Sequence, residues 1–341
     1  MKVLFIGGTG VISKAISRRL LLDGHELWLI NRGRRLEGLP EGAHLICADI
    51  NSEEEKVAEM LGGQTFDVVA DFIAYVPAQL ERDHRLFAGR TRQFIYISSA
   101  SAYQKPPADF RISEGTPLAN PYWQYSRNKI GGEELLMQYY REEGFPVTIV
   151  RPSHTYSEEK IPVCVHGPKG SWQVVKRMME GKPVIIPGDG TSLWTLTWND
   201  DFAKGFLGLM GNIHAIGEAV QITGDETLTW NQIYRAVADA LGTELKPCYV
   251  ASEFLTSCSP AEWGLRGNLW GDKSNSVFFD NRKLKRLVPD FKANVRFDQG
   301  VRRALEYIQS HPERQVSDPE FDAWCDRVIQ VQEEALAKMI G

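Results

Sequence analysis

The chain has no apolar run of about 18 residues, the length that a membrane-spanning helix needs. Its first apolar stretch, Val3–Ile6, runs straight into glycines and is too short for the core of a secretion signal. Cysteine is sparse: Cys47, Cys164, Cys248, Cys258 and Cys325 are scattered, with no Cys-x-x-Cys pair and no Cys/His cluster. That pattern offers neither a disulfide framework nor a metal site, and the thiols read as free in a reducing compartment. Positive charge is not in excess either. With 39 Lys and Arg against 44 Asp and Glu the net charge is −5, which argues against a protein whose main task is to coat nucleic acid or an anionic membrane. Internal repeats and low-complexity segments are absent. The expectation is a soluble, cytoplasmic protein.

What is present is an ordinary globular composition, 43% hydrophobic and 24% charged, over 341 residues, enough for one large domain or two modest ones. Apolar runs predict strands at Lys2–Ile6, Glu26–Ile30, His44–Cys47, Phe66–Ala70, Phe94–Ile97 and Val147–Val150. Helical spacing predicts helices at Val11–Leu22, Ala78–Phe87 and Ser126–Glu143, and another opening after Asn51-Ser52. Strands alternating with helices mean an α/β fold with a doubly wound parallel sheet covered on both faces. After Arg151-Pro152 the rhythm changes to Pro-, Gly- and Trp-rich stretches with short elements near Ala219–Ile222, Trp230–Leu241, Gln299–Ser310 and Glu320–Met339. The division expected is residues 1–155 for a dinucleotide-binding unit and 156–341 mainly for a smaller C-terminal α/β substrate domain. Some elements, such as 218–224, are free to return to the main sheet.

The turn Gly7-Gly8-Thr9-Gly10-Val11-Ile12-Ser13 follows a strand and opens a helix. That is the context in which Gly7 turns the chain and Gly10 lets backbone amides approach a pyrophosphate at the helix N-terminus. Ser13 stands where a third glycine is usual, at a position that governs packing more than phosphate contact. Ser13 and Lys14 either add a phosphate contact or face solvent. The second strand ends in Asn31-Arg32-Gly33-Arg34-Arg35, with no carboxylate to take a ribose 2′-hydroxyl and three guanidiniums to take a 2′-phosphate. The cofactor read from this end is NAD(P), leaning to NADP with Arg32 as the contact; a solvated basic loop that tolerates either form is the alternative. Asp49 has two readings, an acceptor for the adenine amino group or a cap for the helix that follows.

Tyr-x-x-x-Lys places a phenol and an ammonium one helical turn apart, where the ammonium favours phenolate. Such a tyrosine exchanges a proton with a substrate oxygen while hydride moves to or from nicotinamide. The pattern occurs twice, as Tyr125/Lys129 and Tyr156/Lys160. Only the first begins a long helical run; the second sits between a strand and Pro162, where no regular helix is expected. Upstream, Ser98-Ser99 ends the fifth strand at the sheet edge where ligands bind.

The glycine loop, the strand-end Ser-Ser before Ala-Ser-Ala-Tyr103 and the Tyr125/Lys129 pair resemble extended short-chain dehydrogenases/reductases, the NAD(P)-dependent epimerase/dehydratase family. The resemblance runs on through Val150-Arg151-Pro152, Pro187-Gly188-Asp189-Gly190, Asp200-Asp201-Phe202-Ala203 and the segment ITGDETLTWNQI. It implies a Rossmann domain plus a small C-terminal substrate domain, and a catalytic triad of Ser99, Tyr125 and Lys129. Tyr125 would be the acid/base, Ser99 would polarise the reacting oxygen with Ser101 as the fallback, and Lys129 would hold the nicotinamide ribose. The expected cofactor contacts are Gly7, Gly10, Val11 and Ile12, then Asn31, Arg32, Asp49 and Ile50, then Phe72, Ala74, Tyr125, Lys129 and Pro152. The family also suggests a homodimer through the helices near Ala78–Phe87 and Ser126–Glu143.

Departures matter as much. Ala100-Ser101 stands where sugar dehydratases carry an Asp-Glu pair. His154 and Trp194 stand where nucleotide-sugar epimerases place an Asn and an Arg, and Trp198 replaces a His before the Asp-Asp pair. His154 is either a substrate contact or a loop histidine. Trp123, Trp194 and Trp198 form either a sugar-stacking platform or core. The expected substrate contacts are Ser99, Ser101, His154 and Trp194. The function read from all of this is NAD(P)-dependent hydride transfer, as oxidoreductase or epimerase, on a sugar or sugar derivative. The alternatives are an NADPH-dependent reductase of a non-nucleotide carbonyl compound and a non-catalytic RNA-binding member of the fold, since chloroplast stem-loop RNA-binding proteins have a similar glycine loop and Asn-Arg-Gly strand end.

Overall fold

The structure, a computed structural model, describes residues 1–33 and 38–340; Arg34 and Arg35 of the basic run lie outside the described residues. In chain order the strands are β1 (Lys2–Ile6), β2 (Glu26–Asn31), β3 (His44–Cys47), β4 (Val68–Asp71), β5 (Phe94–Ile97), β6 (Arg111–Ile112) and β7 (Val147–Pro152). They continue as β8 (His154–Tyr156), β9 (Val184–Pro187), β10 (Leu193–Trp198), β11 (Ala219–Ile222), β12 (Thr227–Thr229), β13 (Pro247–Val250) and β14 (Phe278–Phe279). The helices that matter to the site are α1 (Val11–Leu22), α2 (Glu54–Leu61), α3 (Pro77–Phe87), α4 (Gln124–Glu143), α5 (Trp172–Met179) and α6 (Asn199–Leu209).

Seven strands form one sheet in the order β11-β7-β5-β4-β1-β2-β3, and every neighbouring pair is parallel. The central strands are buried on both faces, as their unbroken apolar runs require. Chain order reverses between β1 and β4, so a crevice opens beyond the carboxyl ends of these strands. The glycine loop, Asn31, Phe72 and Ser98 all follow strands at that edge.

The strands fall where the apolar runs place them, with differences at the ends. Phe66 makes only an isolated bridge to Thr91, so β4 begins at Val68. β7 runs on to Pro152, because Pro152 has Ile222 of β11 beside it. Thus Ala219–Ile222 does lie in the main sheet, at its edge. Phe202, Phe206 and Leu209 of α6 pack with Phe5, Ile16 and Leu20 on one face of the sheet. A separate apolar cluster is drawn wholly from residues between Tyr156 and Ile329. The short sheet β12-β10-β8 contributes Tyr156, Trp194, Leu196 and Trp198 to this second cluster, and its β8 continues directly from β7.

Candidate active site

Gly7 has φ +104°, the left-handed region that only glycine enters at little cost, and the chain turns there off β1. Gly10 caps α1, and its N–H donates to Ser13 Oγ at 3.0 Å. Ser13 is buried, so its hydroxyl ties the loop to the helix and does not face solvent. Lys14 is paired with Glu159 Oε1 at 2.7 Å. An added Cβ at Gly10 would meet no protein atom nearer than that Ser13 Oγ, at 3.7 Å. The glycine therefore leaves open room beside the unpaired amides that begin the helix, a cradle suited to an anionic group.

At the end of β2, Asn31 Oδ1 accepts from Gly33 N at 2.8 Å, and the exposed Arg32 guanidinium reaches Asp49 Oδ2 at 3.9 Å. Asp49 is not the cap of α2: Oδ1 accepts from Asn51 N at 3.1 Å, and the helix begins later, after Glu53. Its carboxylate therefore stands in the loop beside Ile50, at the mouth of the crevice. After β4, Asp71 Oδ1 accepts the amides of Ile73 and Ala74, which fixes the Phe72–Ala74 turn. Arg82 Nη2 supports Asp71 Oδ2 from below at 3.3 Å.

Lys129 is buried in α4 and donates to Ala74 O at 2.6 Å and Ile97 O at 2.8 Å, bridging the ends of β4 and β5. Tyr125 lies one turn earlier, with the Lys129 ammonium 5.7 Å from its ring centre. The expectation that this ammonium lowers the phenol is not met. Burial pushes Tyr125 up to about 12, with the Ser99 hydroxyl pulling the other way, and burial pushes Lys129 down to about 8. Spacing sets the two side chains on one face, but Lys129 spends its charge on two carbonyls. Tyr125 is therefore a phenol, not a phenolate, at neutral pH.

Ser99 Oγ and Ser101 Oγ are 2.9 Å apart, and Ser126 Oγ donates to Ser101 Oγ at 2.8 Å. The three hydroxyls form a chain in which Ser101 steadies Ser99. Beside them is a cavity of about 350 Å³, lined among others by Ser99, Ser101, Trp123, Pro152, His154 and Trp194. The indole of Trp194 donates to His154 Nδ1 at 3.3 Å, and Trp194 stacks on Trp230 with ring centres 5.5 Å apart. Trp198 is core, packed edge-on against Tyr156. Trp123 and Trp194 are thus the two of the three tryptophans that line this cavity.

Tyr156 and Lys160 share no helix; Tyr156 ends β8 and is buried against Trp198 and Phe297, while Lys160 follows in a turn. Lys160 nonetheless lines the cavity, with His166, Asp272 and Lys273. Sequence reasoning set Lys160 aside with its tyrosine and missed the other three. Their only signal was polarity within the HGPKGSW loop and the GDKSNS segment, whose first three residues end a π-helical turn too short to show periodicity. A larger hollow of about 440 Å³ on the outer side of α1, lined by Lys14, Arg18, Leu22 and Glu41 among others, holds none of the expected catalytic residues. Among the described residues no group of His, Cys, Asp and Glu is placed to hold a metal ion, and no helix is long and apolar enough to cross a membrane.

The model of the NAD dependent epimerase/dehydratase family matches residues 3–223. The chain is similar to the 2'-dehydrokanamycin reductase of Streptomyces kanamyceticus, 25% identical over 296 residues that cover 86% of this chain and 80% of that one. It is also similar to the chloroplast stem-loop binding protein of 41 kDa b of Arabidopsis thaliana, 27% identical over 253 residues that cover 71% of this chain and 63% of that one. Among solved structures, the epimerase Mth375 of Methanothermobacter thermautotrophicus superposes with a TM-score of 0.73 over 92% of this chain and 93% of that one. At 16% identity that likeness is one of fold.

Proposed function

The chain is an enzyme of the NAD dependent epimerase/dehydratase family, and from that premise we propose that it transfers a hydride at a carbinol or carbonyl carbon of a sugar or sugar derivative, with Tyr125 as acid/base. What supports the reading is the convergence of Ser99, Tyr125 and Lys129 at the carboxyl edge of the sheet, beside the cavity that Ser99 lines. Gly7, Gly10, Val11 and Ile12 would hold the cofactor pyrophosphate. Asn31, Arg32, Asp49 and Ile50 would hold the adenosine, and Phe72, Ala74, Lys129, Tyr125 and Pro152 the nicotinamide half. The bound dinucleotide supplies or accepts the hydride.

The chain's own residues handle the proton. In the reducing direction Tyr125 donates its phenolic proton to the substrate oxygen as that oxygen gains charge, and a phenol kept protonated is suited to this. Ser99, steadied by Ser101 and Ser126, hydrogen-bonds the same oxygen. Lys129, fixed between two strand ends, holds the ribose and orders the Tyr125 face of α4.

A second reading, an NADPH-dependent reductase of a non-nucleotide carbonyl compound, is favoured by the Trp194–His154 bond. It joins to each other the two side chains at the expected nucleotide-sugar anchors. The exposed Arg32 guanidinium supports NADP over NAD. We propose further that residues 1–155 form the cofactor-binding unit and 156–341 mainly the substrate-binding one, and that two copies pair through α3 and α4.

The test is to identify the nucleotide released from purified protein, then to supply NADPH or NADH with a panel of keto sugars. Cofactor oxidation matched by carbinol formation supports the proposal. Tightly retained NAD with no net oxidation and an inverted product favours the epimerase form. Salt-sensitive RNA retention with no nucleotide binding would favour the RNA-binding alternative that one relative's name carries.

A further inference from the structure

The cavity beside Ser99 is lined by two lysines and two neutral histidines. Lys160, Lys273, His154 and His166 all line it, and Asp272 is the one carboxylate among its lining residues. Lys105, itself almost fully buried, adds its field to the same Asp272. Lys105 and Lys273 both act on this one carboxylate, while burial pushes each ammonium below the ordinary lysine range. Lys273 Nζ has a carbonyl partner, Cys164 O at 3.1 Å. The Lys160 ammonium has no ion pair or hydrogen bond among the described residues, and burial together with the like charge of Lys273 pushes it below the ordinary lysine range. A lysine on a solvated face needs no partner, but Lys160 is half-buried and opens on a cavity. Burying like charges together is costly unless an anion offsets them.

The histidines are set the same way. His154 Nδ1 accepts the Trp194 indole proton, so its own proton sits on Nε2 and is available to donate. His166 Nδ1 donates to Gly167 O at 2.8 Å. Burial and the neighbouring lysines push both rings below the ordinary histidine range, as expected where positive charge is already in excess.

We infer that this cavity is an anion-selective substrate subsite: the molecule that reacts beside Ser99 and Tyr125 carries a carboxylate or phosphate, received by Lys160 and Lys273 with the His154 Nε2–H. Charge-assisted hydrogen bonds of this kind are about twice as strong as neutral ones. At about 350 Å³ the cavity is near the lower end of small-molecule sites, which suits a compact anion such as a sugar acid or sugar phosphate. The inference rests on the hydride-transfer reading for the reacting end of the molecule, while capture of the anion stands apart from it.

The test is a titration of the full-length protein, followed by tryptophan fluorescence because Trp123 and Trp194 line the cavity. The probes are D-glucuronate, D-glucose 6-phosphate, neutral D-glucose and cationic D-glucosamine. Both anionic sugars should bind at least roughly tenfold more tightly than D-glucose, and D-glucosamine should give no saturable signal. Tighter binding of glucuronate assigns a carboxylate, and tighter binding of the 6-phosphate a phosphate ester. Lys160→Gln should lose roughly tenfold or more of the anion affinity, and Lys160→Arg should keep most of it. Binding of both anionic sugars no tighter than that of glucose, or anion affinity unchanged in a folded Lys160→Gln, overturns the inference. If Lys160→Gln does not fold, the ranking of the four sugars on the wild type decides.

Tyr125→Phe separates the two readings, because the phenolic proton is not needed to capture an anion. Anion preference kept in that variant, when the wild type itself reduces no carbonyl compound, leaves the subsite standing and removes the hydride-transfer reading. Reduction of neutral sugars without anion preference does the reverse.

Discussion

Trp194 donates its indole proton to His154 Nδ1 across the parallel pairing of β8 and β10. The bond fixes the imidazole as the Nε2–H form, and burial among Lys160, Lys273 and His166 keeps the ring neutral. Nitrogen-resolved NMR should find His154 protonated on Nε2 alone and His166 on Nδ1 alone near neutral pH. Trp194→Phe should broaden or mix the His154 tautomers. A His154 ring that titrates between about pH 6 and 7, where an unperturbed histidine does, contradicts this account.

Gly8 has φ +94°, and a Cβ there would stand 2.5 Å from Leu29 Cδ2. Gly8→Ala therefore combines backbone strain with a clash under the cofactor loop and should cost about 1–3 kcal/mol in urea unfolding. Gly24 also has positive φ, +77°, but a Cβ there meets nothing within 4 Å. Gly24→Ala should cost less, through the backbone alone. Equal costs at the two positions would mean that the packing of Leu29 against the loop is unimportant.

Lys129 gives a pH signature. Its proton is held with a pKa of about 8 in the folded chain against 10.5 ordinarily, because burial disfavours the charge. Below about 8 both states carry the proton and the burial cost is present in full. Between these values the unfolded chain holds the proton and the folded chain does not, so folding gains stability as pH rises. Relative to Lys129→Met, the wild type should gain at most about 1.4 kcal/mol for each unit between about pH 8 and 10. A difference that is flat or falling over that window would contradict the burial of an unpaired ammonium in α4.

Arg32 is exposed at the end of β2, and the carboxylate it meets among the described residues, Asp49 Oδ2, is 3.9 Å away. Arg32→Glu should weaken NADP binding by roughly tenfold or more, the scale of one charge-assisted contact, and leave NAD binding much closer to the wild type. Isothermal titration with both nucleotides reads this directly. Equal losses for the two would make the guanidinium a bystander.

The sheet was legible because β1, β4 and β5 are buried on both faces and so read as apolar runs between glycine turns and helical spacing. Tyr125 and Lys129 were legible because an i, i+4 pair on a long helix needs no tertiary information to be set on one face. The direction of the Tyr125 shift was not, since it comes from burial of the phenol by elements distant in sequence, which no local pattern records. The cation-lined cavity was hidden for the same reason. Lys160 and His166 come from one irregular stretch and Asp272 and Lys273 from a π-helical turn at Leu269–Lys273 more than a hundred residues later, and only the packing of the two brings them to one wall. Trp194 was read in two ways because indole burial and cavity lining are not exclusive: the side chain stacks on Trp230 and faces the cavity as well.

The central claim is that Tyr125 carries the proton while hydride moves. The direct measurement is single-turnover reduction of a keto sugar by the Tyr125→Phe protein loaded with cofactor, beside nucleotide affinity measured on the same sample. Cofactor affinity should stay within about twofold, since the lost hydroxyl is a proton donor and not an anchor, while the rate falls by roughly 100- to 10,000-fold. A rate equal to that of the wild type would contradict the account.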